Sequence, residues 1–426
     1  MADPSTTTGK LPILRVRQPE EIPAAGLSLH ADVVIIGSGA SGAVTAYELA
    51  RSGAKVVVLE AGPYIQSKEF QEHVPTALET LYEDHGNQTN TTGDLAILQG
   101  RCIGGSTVVN AAVCFRVPNQ VLEHWVEEHG LENLSPDVLA PYFEKVERRL
   151  SIHQNEPHEV NYNGRLLIEG AEKIGLHAEP TTRNVKSCAL SGHCISACRT
   201  DRKQSMLVTY LPWASELGAT ILSGTRADTF EVQGRTVKAI NAIATDSNGS
   251  DKPVRVEAGL VIVAAGAVQT PILFLKNKLA NRSGQVGRNF ACHPSLAVFG
   301  EHDRDIYAWN GATITAHAGD IENPLKGGYL LEAGMVGPVV TSTWADGGVG
   351  QDFVEFMENA KRYQAAVTLI HDHNVGRVYL DGDRKQIDYD IDDRDFEAVR
   401  EALRGTAKIY FAAGAKRVFL PTTRRT

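Results

Sequence analysis

Three glycines near the start of the chain have the spacing with which proteins bind phosphate groups. Gly37, Gly39 and Gly42 form a G-x-G-x-x-G pattern between an apolar run and a helix-like segment. The first glycine permits a tight turn, the second lets a pyrophosphate approach the backbone, and the third allows close helix–strand packing. Glu60 ends a second apolar run, where a carboxylate can hold ribose hydroxyls. The pattern predicts a dinucleotide site rather than a structural glycine turn, and the acid favours NAD or FAD over NADP.

A second glycine-rich segment, GRCIGGSTVVNAAVCFR, spans residues 100–116. Its glycines predict a loop whose backbone amides approach a ligand. Hydroxyl and amide groups for hydrogen bonds follow directly, on Ser106, Thr107 and Asn110. Taken alone, the segment is also compatible with a generic glycine turn before a buried strand.

The elements around the first glycines form a βαβ unit, the context that their pattern requires. Residues 32–36 predict a strand, 43–52 a helix and 55–60 a second buried strand. Further along, helix-like spacing covers residues 120–150, with Ser135 as cap and Pro136 as first-turn residue. A buried strand over 259–267 precedes another helix.

The last third of the chain has a different character. Beyond His293, short segments separated by Gly, Asp and Asn predict an antiparallel sheet. Residues 393–415 predict a long amphipathic helix that ends at a glycine.

Composition excludes several classes of function. The 426 residues carry a net charge of −9 with acids and bases interspersed, which argues against nucleic-acid binding. No apolar run is long enough for a membrane span, and the N-terminus lacks a signal-peptide pattern. A cytoplasmic protein is therefore expected. The six cysteines do not form the framework of a disulfide-rich domain, and Cys102 and Cys114 are expected to be small apolar residues.

Four segments together resemble the glucose-methanol-choline (GMC) flavoprotein oxidoreductases. They are the glycine fingerprint with EAGP, the GRCIGGSTVVN loop, VIVAAGAVQTPILFLKN (261–277) and VGRNFACHP (286–294), in the order typical of the family. The resemblance implies FAD as cofactor. It also implies a cofactor-binding set, composed of Gly37, Gly39, Ala40, Ser41, Gly42, Glu60, Ala61, Arg101, Gly104, Gly105, Ser106, Asn110, Ala111, Ala227, Ala264 and Gly266.

The segment at 188–222 is similar to the family's branch of long-chain fatty-alcohol oxidases and related bacterial dehydrogenases. Cys188, Cys194 and Cys198 have the spacing C-x5-C-x3-C. Some electron-transferring members bind an iron–sulfur cluster in this region, and three thiolates suit a three-iron cluster better than a four-cysteine zinc site. A disulfide and packed free thiols remain the alternatives.

Three histidines are candidate functional groups. His293 lies in the NFACHP loop, which the resemblance places near the flavin, and a structural role is the expectation there. His371 and His373 alternate along an expected strand and would share one face. No third ligand is evident, so no metal site is predicted.

The family's proton-accepting histidine lies in a C-terminal His-Pro-x-Gly-Thr segment, and no such string occurs in this chain. The resemblance therefore predicts either a chain cut short or a member that has lost its base, with truncation favoured, and the catalytic residue is unknown. Loss of that part predicts weakened FAD retention and weak turnover. An acceptor subunit or a missing C-terminal half is the partner expected.

The expected fold class is α/β, a Rossmann-like FAD-binding domain joined to a substrate domain with an antiparallel sheet. The expected boundaries are an arm at 1–30, the FAD domain at 31–292 with helical insertions around 120–200, and the substrate domain at 293–426.

The expected function is oxidation of CH–OH groups of apolar alcohols by hydride transfer to FAD. The alternatives are an electron-transferring dehydrogenase subunit with an iron–sulfur cluster, a non-redox flavin lyase and an inactive binding subunit. The alcohol, the choice between oxidase and dehydrogenase, and the oligomeric state are not determined by the sequence.

Overall fold

The computed structural model describes residues 13–319, 328–335, 337 and 350–421. By its internal contacts the chain divides into two compact units. The first comprises residues 1–110, 195–290 and 375–389, and the second comprises 111–194, 291–374 and 390–426. This division differs from the contiguous domains expected from the sequence. Residues 111–194 group with the second unit, and 375–389 with the first, because their strands pair there.

The regular elements are named here in chain order. The strands are β1 (Leu27–Ile36), β2 (Val56–Leu59), β3 (Ile152–Gln154), β4 (Ala178–Pro180), β5 (Thr182–Asn184), β6 (Thr220–Leu222), β7 (Thr225–Gln233), β8 (Thr236–Thr245), β9 (Asp251–Val263), β10 (Arg288–Phe290), β11 (Ser295–Glu301), β12 (Ile314–Gly319), β13 (Tyr329–Gly334), β14 (Tyr363–Ile370), β15 (Gly376–Asp381), β16 (Arg384–Asp388) and β17 (Arg417–Phe419). The helices are α1 (Ala40–Arg51), α2 (Val74–Leu81), α3 (Asn119–His129), α4 (Pro136–Arg149), α5 (Tyr162–Lys173), α6 (Tyr210–Glu216), α7 (Gly266–Lys276), α8 (Gln351–Glu358) and α9 (Asp393–Ala412).

The first unit is organised around a six-stranded sheet with the order β6-β2-β1-β9-β8-β7. β6, β2, β1 and β9 are parallel, and β9, β8 and β7 form an antiparallel meander. All four residues of β2 and the last four of β1 are buried, as expected for parallel strands covered on both faces. The predicted βαβ unit is confirmed, with α1 beginning three residues before the expected start and β1 beginning at Leu27, inside the stretch expected to be an N-terminal arm.

The buried strand predicted at 259–267 is only partly correct: β9 ends at Val263 and α7 begins at Gly266, and residues 259–263 are exposed or half-buried rather than buried. β10, β15 and β16 form a small separate sheet of the first unit. β15 and β16 were expected in the antiparallel sheet of the second domain. They lie in the first unit because β15 pairs with β10 and contacts α7.

The second unit contains a six-stranded antiparallel sheet with the order β17-β11-β14-β13-β12-β4. α5 and α9 cover one face of this sheet. Buried small and branched residues fill the space between, among them Leu167, Ala316, Leu331, Ala366 and Ile409. The Rossmann-like sheet and the antiparallel sheet confirm the predicted fold class.

Two local expectations need correction. β14 ends at Ile370, so His371 and His373 lie in an irregular segment rather than on a strand. The two histidines therefore do not share a face of a sheet. Ser135 is the N-cap residue of α4 and Pro136 its first residue, as predicted, but the Ser135 side chain makes no capping hydrogen bond.

The described part of the chain contains no helix that combines the length and the apolar character needed to cross a membrane.

Candidate cofactor site

The turn between β1 and α1 requires glycine at position 37. Gly37 has a φ of +101°, and a Cβ there would lie 2.4 Å from the carbonyl oxygen of Ala264. Any side chain would strain the turn and collide with the backbone that follows β9. Gly42 is equally constrained, since its Cβ would lie 2.0 Å from the Gly37 carbonyl oxygen. These two glycines hold α1 tightly against the strand ends.

Gly39 serves a different purpose, because no atom lies within 4 Å of where its Cβ would be. It is the N-cap residue of α1, which begins at Ala40. A helix N-terminus presents unpaired N–H groups and the positive end of the helix dipole, both of which favour a phosphate. The open space at Gly39 therefore fits a pyrophosphate.

Glu60 follows β2 and has only 7% of its surface exposed. Its Oε2 accepts hydrogen bonds from the N–H (3.0 Å) and Oγ (2.7 Å) of Ser38, and its Oε1 accepts one from the N–H of Gly62 (2.8 Å). Burial raises the pKa of Glu60, and these hydrogen bonds oppose that rise. A carboxylate has about four lone-pair positions, so a position remains for a ribose hydroxyl.

Ser38 is a residue of the site that the sequence did not single out. It is fully buried, and besides donating to Glu60 its Oγ accepts a hydrogen bond from the N–H of Gly104 at 2.9 Å. The glycines on either side of Ser38 drew attention to the turn. No spacing along the chain indicates that this hydroxyl also meets the loop at 104, 66 residues away.

The loop at 100–107 approaches the first glycine turn closely. A Cβ on Gly105 would lie 2.9 Å from the Cα of Gly39. Ser106 Oγ accepts a hydrogen bond from the N–H of Gly100 at 2.9 Å, which closes the loop on itself. The close contact also requires a glycine at position 100, because a Cβ there would lie 2.7 Å from the backbone of Ser106. The two glycine-rich segments thus form one surface.

This surface is one wall of a cleft of about 750 Å³ within the first unit, a volume typical of small-molecule and cofactor sites. Most of the predicted cofactor-binding residues line it: Gly37, Gly39, Ala40, Ser41, Glu60, Ala61, Arg101, Gly105, Ser106, Ala227, Ala264 and Gly266. Residues that the sequence did not indicate also line it, including Thr45, Glu83, Gln99, Gln269 and Lys276. Gln99 immediately precedes the GRCIGG loop, and its Nε2 donates to the Ala265 carbonyl at 3.4 Å.

Four predicted residues do not line the cleft. Gly42 packs α1 against the turn, and Gly104 adopts a left-handed conformation in which a Cβ would lie 2.7 Å from Val108. Asn110 is exposed, and Ala111 belongs to the second unit. The first two support the shape of the site, and a cofactor contact by any of the four stays a prediction.

A buried lysine binds the end of the second glycine-rich loop. Lys203 has 3% of its surface exposed, and its Nζ donates hydrogen bonds of 2.7 Å to the carbonyl oxygens of Val108 and Asn110. Tyr82 Oη donates its single proton to the Ile195 carbonyl at 2.7 Å and lies 3.2 Å from the Val109 carbonyl oxygen. Two carbonyls at the end of the loop are therefore fixed by the Lys203 side chain.

All six cysteines are free thiols in the structure, so the disulfide alternative is not formed. Cys102 is buried, as expected of a small apolar residue, and burial raises the pKa of its thiol above the usual range. Cys188 and Cys194 are half-buried beside Arg183, which is fully buried. Guanidinium nitrogens of Arg183 lie 3.9 Å from Cys188 Sγ and 3.6 Å from Cys194 Sγ.

The remaining histidine candidates do not form a metal centre. His293 is exposed, and the rings of His371 and His373 lie 5.6 Å apart. His373 Nδ1 lies 3.1 Å from Asp395 Oδ1. Within residues 13–319, 328–335, 337 and 350–421, no group of three or more His, Cys, Asp or Glu side chains is arranged to hold a metal ion.

A parallel βαβ sheet with a glycine-lined cleft at its strand ends defines the class of dinucleotide-binding proteins. Comparison with known families makes this specific. The GMC oxidoreductase family matches residues 78–295, and a Rossmann-like NAD(P)-binding domain matches residues 35–93. The chain belongs to the GMC oxidoreductase family, which confirms the resemblance.

Curated relatives share this family membership. The chain is 29% identical over 408 residues to a long-chain-alcohol oxidase of Arabidopsis thaliana, which covers 92% of this chain and 54% of the relative. It is 32% identical over 392 residues to an uncharacterized GMC-type oxidoreductase of Mycobacterium tuberculosis (91% and 61%). It is 26% identical over 344 residues to the fructose dehydrogenase large subunit of Gluconobacter japonicus (67% and 62%). The chain thus spans roughly half to three fifths of these relatives' lengths.

Solved structures share the fold. Pyridoxine 4-oxidase from Mesorbium loti superposes with a TM-score of 0.66 at 20% identity, covering 93% of this chain and 84% of that one. Formate oxidase from Aspergillus oryzae superposes with a TM-score of 0.65 at 15% identity, covering 90% and 82%.

FAD is the cofactor of this family, and the residues of the cleft fit it. The fit rests on the open space at Gly39, the helix N-terminus beside it and the buried acid Glu60 at the end of the neighbouring strand.

Proposed function

We propose that the protein is an FAD-dependent oxidoreductase that oxidises the CH–OH group of apolar alcohols. When bound, FAD would accept the hydride of the substrate C–H bond, and the hydroxyl proton would pass to a base that the sequence does not identify. The observation that carries the proposal is the cleft of the first unit, in which two glycine-rich loops form one wall that fits a dinucleotide, in a chain of the GMC family. The preference for apolar alcohols is supported by the relatives named long-chain-alcohol oxidases.

The side chains of this chain have three tasks in the proposal. The turn at Gly39 and the N-terminus of α1 bind the pyrophosphate. Glu60 orients the ribose, while its bonds to Ser38 keep the acid in place. Lys203 fixes the loop at 104–110, so that the cofactor meets a rigid wall.

An absorbance spectrum of the purified chain, recorded anaerobically before and after an alcohol is added, tests the proposal. With FAD added in excess, we expect a flavin spectrum that bleaches slowly with long-chain primary alcohols and not with the matching alkanes, because the family's proton-accepting segment does not occur in residues 1–426. Flavin that stays oxidised with every alcohol contradicts the proposal and favours a non-redox lyase. A protein that purifies without flavin and takes none up favours an inactive binding subunit.

A second candidate, an electron-transferring dehydrogenase subunit, is favoured by one specific observation. Arg183 is fully buried, and within the described residues its guanidinium contacts no carboxylate but lies against the sulfurs of Cys188 and Cys194. A buried cation favours an anionic partner, which an iron–sulfur cluster would supply, but the cysteines would have to rearrange to bind one, since among the described residues no three side chains are placed to hold a metal ion. The similarity to a fructose dehydrogenase large subunit agrees with this candidate. Iron and acid-labile sulfide in the pure protein would support it, and their absence after anaerobic reconstitution would contradict it.

The remaining predictions concern the whole protein. We propose an acceptor subunit or a further C-terminal part as partner, a proposal supported by the greater length of the curated relatives, of which the chain covers 54% and 61%. Co-purification from the native source tests this. We also propose a cytoplasmic location, which cell fractionation tests.

A further inference from the structure

A buried carboxylate without a partner lies in the antiparallel sheet of the second unit. Glu332, on β13, has 7% of its surface exposed. Among the described residues it makes no hydrogen bond and no ion pair. Burial alone raises the pKa of Glu332 to about 7. Buried carboxylates are ordinarily paired or hydrogen-bonded, because an unpaired one has lost its hydration without compensation.

The two faces of this sheet differ in how they are covered. On one face, Ala316, Leu331 and Ala366 are buried beneath α5 and α9, with 1% exposure or less. Glu332 lies on the opposite face, since side chains alternate along a strand. Its neighbours there include Leu330, Val367 and Leu369, which are only partly buried. This second face is therefore partly exposed and mainly apolar around Glu332, with Glu332 as a buried polar group.

A histidine lies directly across from Glu332. His317 on β12 is its register partner, so the two side chains share the face. Burial lowers the pKa of His317, against the opposing effect of Glu179, whose Oε1 lies 3.5 Å from the His317 Nε2. The Phe115 ring packs edge-on against the imidazole at 5.1 Å. His317 is thus favoured in its neutral form, and its ring contacts Glu179 and Phe115.

The charged and titratable groups around Glu332 are few. β12 contributes His317, and β4 beyond it contributes Glu179. β14 contributes only apolar neighbours, with Val367 directly opposite Glu332. No cation within the described residues neutralises the carboxylate, so its hydrogen-bond donor comes from water or from a ligand that replaces water.

We infer that Glu332 accepts a hydrogen bond from the hydroxyl group of an apolar alcohol, whose chain lies along the partly open face of Leu330, Val367 and Leu369. This inference rests on the proposed function, because it names the substrate class of the same protein. An apolar surface with one buried polar group is the usual composition of a small-molecule site. A hydroxyl that donates to a carboxylate makes a charge-assisted bond, which is stronger than a neutral one.

Equilibrium binding of 1-decanol and of decyl methyl ether to the purified chain tests the inference, by titration calorimetry in the absence of any electron acceptor. The ether has the same apolar chain but no donor. At pH 8 we expect the wild type to prefer the alcohol by about tenfold or more, as a hydrogen bond to a charged group implies. Glu332→Gln should abolish most of this preference while leaving ether binding unchanged.

A matched variant controls for nonspecific effects. Glu159 is another buried glutamate of the second unit, but it already accepts a hydrogen bond from the N–H of Glu156 at 3.1 Å. Glu159→Gln should keep the preference for the alcohol. The wild type supplies a test that needs no substitution, since its preference should decline as the pH falls below about 7 and Glu332 is protonated. A wild type without preference at pH 8, or a Glu332→Gln protein that retains it, overturns the inference.

Flavin bleaching by the same alcohol distinguishes the inference from the proposed function. If decanol binds with the expected dependence on Glu332 but the flavin remains oxidised, the inference holds and the proposed function fails. If decanol bleaches the flavin and Glu332→Gln binds it like the wild type, the proposed function holds and the inference fails.

Discussion

The Ser38 hydroxyl donates a 2.7 Å hydrogen bond to Glu60 Oε2 and accepts one of 2.9 Å from the N–H of Gly104. One buried side chain thereby connects the turn after β1, the acid after β2 and the second glycine-rich loop. The relationship explains why the two loops form a single wall, although the sequence separates Ser38 from Gly104 by 66 residues. It also makes Ser38 a direct test of how the cleft is organised.

We expect Ser38→Ala to lower the affinity for FAD by about tenfold and the free energy of unfolding by about 1–3 kcal/mol. The reason is that the buried Glu60 carboxylate loses a charge-assisted bond and the Gly104 N–H loses its acceptor. Flavin titration by fluorescence and urea denaturation measure the two quantities. Ser28→Ala, at an exposed position of β1, is the matched control and should change neither. An unchanged FAD affinity in Ser38→Ala would show that the Glu60 position does not depend on Ser38.

Two glycine substitutions separate the space for the cofactor from the packing of the fold. Gly39→Ala adds a methyl group to open space, in a backbone conformation with φ of −66° that alanine adopts readily. We expect this variant to unfold like the wild type but to retain little flavin, because the methyl group occupies the phosphate position. Gly42→Ala places a Cβ 2.0 Å from the Gly37 carbonyl oxygen, so α1 has to shift. It should lose about 1–3 kcal/mol of stability.

Flavin content after purification and thermal unfolding without added cofactor check this pair. The decisive comparison is between the thermal stabilities of the Gly39→Ala and wild-type proteins without cofactor. A large loss of its stability would mean that the open space at Gly39 belongs to the fold, and normal flavin retention would mean that no phosphate lies there.

Features of the fold and the site that depend on residues close together in the sequence were predictable, and features that depend on distant residues were not. The βαβ unit, α9 and the cleft residues around Gly37 and Gly105 were predictable, because periodic apolar runs and glycine spacing are local signals. The assignment of residues 111–194 to the second unit was not, since it depends on which strands pair. The same limit applied to Ser38 and Glu332. A buried hydroxyl or carboxylate in an ordinary-looking strand gives no signal until its neighbours are known.

Asp395, in the first turn of α9, should dominate the acid sensitivity of the second unit. It is fully buried and accepts hydrogen bonds from the N–H of His373 (2.8 Å), from its ring Nδ1 (3.1 Å) and from the N–H of Asp392 (3.0 Å). Burial alone would raise the pKa of Asp395, but these hydrogen bonds outweigh burial and lower it. An acid whose pKa is lowered by folding stabilises the protein above its unfolded pKa. That contribution is lost as the pH falls through the folded pKa.

We therefore expect Asp395→Asn to lower the free energy of unfolding at pH 7 by about 1.5–3 kcal/mol, with a difference that shrinks below about pH 4. Urea denaturation across this pH range measures it. Asp393→Asn, an exposed acid in the same turn, is the control and should lose less than about 1 kcal/mol, as expected of a helix-dipole interaction alone. Equal effects of the two substitutions would contradict the assigned role of Asp395.

Glu332 should show the opposite dependence on pH, because its pKa is raised from 4.5 to about 7 by burial. Between these two values the folded protein binds more protons than the unfolded chain, so the stability of the wild type falls as the pH rises through this window. Glu332→Gln removes the cost of ionisation. Its free energy of unfolding should match the wild type near pH 4.5 and exceed it above pH 7, by at most about 3 kcal/mol. Glu358→Gln, at an exposed position on α8, should show no such trend. A constant difference between Glu332→Gln and the wild type from pH 4.5 to 8 would mean that Glu332 ionises without cost and is hydrated, which would also remove the reason for a ligand to donate to it.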